Sequence, residues 1–177
     1  MKTRAIFAIV CGCAALLMAS TAQAHDAFII TSFADDMAAQ QWEHADATPF
    51  KGWVNVTVTN TGSQPWGDFH FQIYDPIGTQ DISNVSFLDS TTTPPGPNPT
   101  SSQVPFTWTI DNVSIGAKMD LYFYSAPVLP TQTATFSVWT DNPDYLSFFG
   151  VMLYPTPVPE PASLVLLGFA ALLIRRR

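Results

Sequence analysis

An all-β fold, a sandwich of about seven or eight short antiparallel strands, follows from three observations on this sequence. Apolar and polar residues alternate in run after run from residue 50 onward, the period of a half-buried strand. Turn-forming residues cluster between the runs, at Asn60-Thr61-Gly62, Asp75-Pro76, Ser114-Ile115-Gly116 and Asp141-Asn142-Pro143. Both cysteines, Cys11 and Cys13, precede these runs, so no disulfide supports the body and packed apolar faces must hold it.

Taken in order, "AFIITSF" reads as a first strand. "DDMAAQQWEHADAT" breaks the alternation: Ala38, Trp42 and Ala45 fall at helical spacing, with Asp35 or Asp36 as N-cap and Pro49 as stop, which predicts a short helix. In "WVNVTVTN" Val54, Val56 and Val58 share one face, with Asn55, Thr57 and Thr59 on the other. "DFHFQIY" turns Phe69, Phe71 and Ile73 inward, and Asp68, His70 and Gln72 outward. "ISNVSFL" is a further strand. Residues 89–103, "DSTTTPPGPNPTSSQ", can bury little and are expected to form a flexible loop. "PFTWTID", "KMDLYFY", "TATFSVW" and "YLSFFGVMLY" complete the set, with Met119, Leu121, Phe123, Ala134, Phe136 and Val138 on inward faces. Strands of this number and spacing predict an immunoglobulin-like sandwich. The stretch "VNVTVTNTGSQPWGDFHFQIYD" also resembles the strand-turn-strand of bacterial immunoglobulin-like adhesion modules.

The two ends carry addresses. Lys2 and Arg4, an apolar run over 5–18, and Ala22-Gln23-Ala24 form the three regions of a secretory signal peptide, with cleavage leaving His25 first. Residues 1–24 are therefore expected as a signal helix and 25–157 as the exported domain. The tail "VPEPASLVLLGFAALLIRRR", residues 158–177, joins Val158-Pro159-Glu160-Pro161 to an apolar block and to Arg175, Arg176 and Arg177. The block over 162–174 would rise about 20 Å as a helix, against the ~30 Å of a bilayer core. It is a short transmembrane helix, and the arginines keep its end in the cytoplasm.

These three blocks in this order resemble the PEP-CTERM sorting signal of Gram-negative bacteria. The resemblance implies recognition by exosortase, an integral-membrane enzyme that processes its substrates near the Pro-Glu-Pro motif. It implies export in a host that makes extracellular polysaccharide, with a transient inner-membrane anchor before processing. Signal peptidase and exosortase are then the expected export partners, and the cell surface or matrix the destination. The tail reads as a tag to be removed.

Charge narrows the function classes. Five of the seven Lys and Arg lie in the targeting segments, leaving Lys51 and Lys118. Of fourteen acidic residues only Glu160 leaves with the tail, so the exported domain carries thirteen carboxylates and a net charge of −11. Such a surface repels nucleic acid and anionic lipid. No phosphate loop, Gly-x-Ser-x-Gly elbow or carboxylate pair stands out, so the expectation is a protein without catalysis or cofactor.

Three constellations compete with that expectation. His25, once first, would offer its amine and imidazole to copper, with His44 or His70 completing the site. This histidine brace resembles that of lytic polysaccharide monooxygenases, which also use β-sandwiches. Asp141, Asn142 and Asp144 share a turn, and Asp75 and Asp81 bracket another, offering oxygen ligands suited to calcium. Backbone turn chemistry alone accounts for such residues. Trp53, Tyr122, Tyr124 and Trp139 alternate with inward aliphatic residues and are expected to face outward, where rings stack on sugars or on each other. The sequence thus points to an exported surface or exopolysaccharide-matrix protein, structural or adhesive, with extracellular polysaccharide as partner. A small copper-dependent polysaccharide oxidase is the alternative.

Overall fold

The computed structural model describes residues 26–45, 51–143, 146 and 148–158. They form ten strands: β1 Ala27–Phe33, β2 Gln40–Ala45, β3 Lys51–Asn60, β4 Trp66–Tyr74, β5 Ser86–Leu88, β6 Thr100–Ser101, β7 Thr107–Asp111, β8 Lys118–Tyr122, β9 Thr133–Asp141 and β10 Phe148–Pro157. Two five-stranded sheets result. Sheet A runs β1-β3-β9-β5, with β6 also paired to β9, and sheet B runs β2-β10-β4-β8-β7.

Alternation became a sandwich because each strand has one apolar face. Val54, Val56 and Val58 of β3 and Ala134, Phe136 and Val138 of β9 are buried from sheet A; Phe69, Phe71, Ile73, Met119 and Leu121 are buried from sheet B. Aromatic rings join the layers. Phe69 stacks on Phe136 at 4.8 Å between centroids, Phe123 stacks on Phe136 at 5.4 Å, and Phe71 meets Phe87 edge-on at 6.4 Å. Gly116, in the β7–β8 turn, holds φ at +79°, a conformation that L side chains rarely adopt.

Three expectations need revision. The predicted helix over residues 35–49 does not form where the chain is described: Gln40–Ala45 is a strand, paired antiparallel with β10 from Gln40↔Leu153 to Ala45↔Phe148. Met37 at φ 47°, its N–H bonded to Ala34 O, makes a tight turn where helical backbone was expected. The spacing of Ala38 and Trp42 was compatible with a helix, but long-range pairing with β10 overrode it. The sandwich is also not wholly antiparallel, since β1 pairs parallel with β3 from Ala27↔Val54 to Phe33↔Asn60. The chain crosses into sheet B as β2 between them, and such a crossover permits parallel neighbours. The expected seven or eight strands become ten, because β2 replaces the helix and β6 lies in the Pro/Thr/Ser segment.

That segment, 89–103, is organised around Asp89. Its Oδ1 accepts the N–H groups of Thr91 and Thr92, and its Oδ2 accepts the Trp108 indole N–H at 2.8 Å. Thr100–Ser101 then joins the β9 edge. The signal segment 1–24 and the tail from Pro159 onward lie outside the described residues, as do the two terminal helices expected there.

Truncating the inter-sheet ring should be costly while truncating an outward one should not. Phe136→Ala is expected to lower the unfolding free energy by about 3–5 kcal/mol in urea titration, and Phe28→Ala, 77 % exposed, by about 0.5 kcal/mol or less. Equal losses would mean that the rings do not hold the sheets together.

Candidate functional site

Sheet B carries a charged cluster on its outer face, and strand register builds it. β4 is the middle strand. Its outward Asp68 and His70 lie opposite Tyr122 and Asp120 of β8 on one side, and Thr156 and Tyr154 of β10 on the other. His70 Nδ1 is 2.6 Å from Asp120 Oδ1, and its ring stacks on Tyr154 at 4.6 Å. Nε2 lies 3.2 Å from Asp68 Oδ1, within ion-pair range.

Electrostatics follow from this geometry. Burial of His70 disfavours its charge, yet the hydrogen bonds and charges of Asp120 and Asp68 outweigh that and raise its pKa from 6.5 to about 9. At neutral pH His70 is an imidazolium with no lone pair for a metal or a substrate proton. Burial opposes the charge of Asp68 too, but donation from His70, Thr156 and Tyr124 holds its carboxyl below the usual range. Tyr124 donates to Asp68 Oδ2 at 3.0 Å; burial and then that carboxylate push its hydroxyl up to about 12. The cluster is a tie across three strands.

Beside it lies a cleft of about 300 Å³, lined by Phe106, Thr107, Tyr122 and Tyr124 among others. The two tyrosine rings are 6.1 Å apart and inclined by 29°. Tyr124 lies over Gly67, where a Cβ would collide with its ring. Trp53 and Trp139 sit elsewhere: they are cross-strand partners on sheet A, edge to face at 5.3 Å. The four aromatics expected outward therefore form two pairs on opposite faces, with no shared platform.

The metal candidates are dispersed. His25, and the side chain of His44, lie outside the described residues, and His70 is occupied by its carboxylates. Asp141 is buried and accepts from Lys51 Nζ at 2.9 Å; the Asn142 amide closes a turn with the backbone of Leu146; Asp144 is outside the described residues. Asp75 and Asp81 accept backbone N–H groups of their own turns. Among the described residues no group of three or more His, Cys, Asp or Glu is arranged to hold a metal ion.

Sequence reading missed Asp68, Asp120, Tyr154 and Thr156 as one constellation. The period of β4 put Asp68 and His70 on one face, but their partners depend on the register of β8 and β10, which alternation does not encode.

Thr156 leads to the C-terminal boundary. Its N–H and hydroxyl both donate to Asp68 Oδ1, at 2.9 and 2.6 Å, and Val158 N–H donates to Pro65 O at 2.9 Å. Residues 157–177 match the PEP-CTERM protein-sorting motif family. This chain carries that sorting signal. The PEP-CTERM motif marks it as an exported, exosortase-targeted protein, and the motif begins on the last residue of β10. No curated protein and no solved structure matches the chain. Among the described residues no helix is long and apolar enough to cross a membrane; the apolar block 162–174 lies outside them.

The raised pKa of His70 has a definite sign. Its stabilising contribution is complete below about pH 6.5, the unfolded value, and is lost as pH rises through about 9. Unfolding free energy from urea titration is expected to decline between those values, and His70→Gln to remove the decline. An unchanged pH profile in His70→Gln would break the assignment.

Proposed function

We propose that this is an exported, exosortase-processed protein of the cell surface or exopolysaccharide matrix of a Gram-negative bacterium, a component of biofilm. It is built as an immunoglobulin-like sandwich with a structural and adhesive role and no catalysis. The observation that carries the reading is the junction: the sorting motif follows β10 without a linker. A cut beyond Val158 leaves β10 and the Val158 N–H bond to Pro65 O in place, so the folded domain stays whole.

Other features support a binding or structural role. His70, the histidine with a described side chain, is committed to a strand-tying cluster. The exported domain has a strong negative charge, which favours a dispersed, hydrated protein over one bound to nucleic acid or anionic lipid. The outward Trp53 and Trp139 pair of sheet A offers a contact to sugar rings.

Intact mass of the protein recovered from the host surface and medium tests the processing. The expected species starts at His25, ends at or beyond Val158 and lacks 162–177. Replacing Pro159, Glu160 and Pro161 together by alanine should leave the tail attached and the protein in the membrane fraction. A wild-type mass that retains 162–177 would make the tail a working anchor and overturn exosortase processing.

A further inference from the structure

We infer that the outer face of sheet A is a binding groove for an uncharged polysaccharide chain. Register aligns its side chains in transverse rows. Phe28 of β1, Asn55 of β3, Ser137 of β9 and Thr100 of β6 form one row across four strands. Ile30, Thr57 and Thr135 form the next, and Trp53 with Trp139 closes the opposite end. Successive rows are two residues apart, about 6.7 Å along the strands.

Two depressions of about 290 and 310 Å³ lie on this face and both touch Phe28, Asn55 and Ser137, so they adjoin across that row and together form a shallow trough. Its floor is hydroxyl and amide. Ser137 Oγ donates to Asn55 Oδ1 at 2.7 Å, which fixes that amide and leaves its NH₂ to donate outward. The rim is apolar: Phe28 is 77 % and Ile30 80 % exposed, and no packing requirement of the sandwich accounts for either. The one carboxylate that lines the trough, Asp26, accepts the Trp53 backbone N–H.

A ligand that fits must present apolar faces to rings and hydroxyls to a polar floor, and must lack charge. Pyranose chains have that character: axial C–H faces stack on aromatic and aliphatic side chains, and equatorial hydroxyls exchange hydrogen bonds. A protein surface would cover Phe28 and Ile30 but desolvate the hydroxyl floor without matching it. With one carboxylate and no cation among its lining residues, in a domain of net charge −11, the trough favours a neutral chain over an acidic one. This deepens the matrix reading, on which it rests for where the ligand is met; the groove itself stands on geometry.

Affinity electrophoresis of the protein recovered from its host tests the inference, with mixed-linkage glucan, galactomannan and arabinoxylan as neutral probes and alginate as the anionic one. At least one neutral probe should retard the protein and alginate should not. Phe28→Ser and Asn55→Ala should weaken retardation by about tenfold. Tyr124→Ala, on the opposite face, should leave it unchanged. Urea midpoints of the variants, with Phe28 and Asn55 both outward, separate lost binding from lost fold. Three results overturn the groove: no retardation by any neutral probe, retardation that depends on Tyr124 and not on Phe28, or a dimer in sedimentation that Phe28→Ser dissolves, which would assign the face to a second copy. Intact mass on the same preparation keeps the two readings apart. A processed protein that binds no probe refutes the groove alone, and an unprocessed protein that binds refutes only the sorting route.

Discussion

Phe69 stacks on Phe136 where the middle strand of sheet B faces sheet A, and no covalent bond reinforces that contact. Sheets packed this way sit about 10 Å apart, and their inward side chains fix every outward one through the pleat. Once Phe69 and Phe71 point inward, Asp68 and His70 must point out. Once Val54, Val56 and Phe136 point inward, Asn55 and Ser137 must face solvent. The charged cluster of one face and the trough of the other are both consequences of a single apolar layer.

Scarcity of cations shapes the rest. With two lysines for thirteen carboxylates, most acids cannot find a salt bridge. They accept backbone N–H groups instead: Asp35 from Ser63 and Gln64, Asp75 from Ile77 and Gln80, Asp111 from Val113 and Ser114. Each such bond locks a turn or docks one loop on another, and holds the carboxylate ionised. Lys51 is spent on Asp141, and His70 becomes a third cation because two carboxylates flank it. Acidity here is a means of shaping loops.

The alternation in β3, β4, β8 and β9 was legible because each strand is apolar on one side only, so period two survives in the sequence. β2 was not, since Trp42 and Ala38 satisfy a helical period while the pairing partner that decides the matter, β10, lies more than a hundred residues away. The parallel hand of β1 was equally hidden: alternation is the same in either direction. The same limit governs the sites. Trp53 and Trp139 could be placed outward, but their mutual contact and their separation from Tyr122 and Tyr124 belong to register and sheet order. The sorting motif needed none of this, because it is read as linear chemistry.

β10 has one further consequence, in the order of events. It is the last strand in the chain among the described residues, yet it lies between β2 and β4, and it supplies the ladder on which β2 depends. A chain threaded outward from its N-terminus presents β1 to β9 first, with sheet B still split. Sheet B is continuous only once residues 148–157 pair with both β2 and β4. The strand nearest the sorting signal is thus the one that joins β2 to the rest of its sheet, so a chain cut short of β10 would lose that ladder and one flank of β4 together.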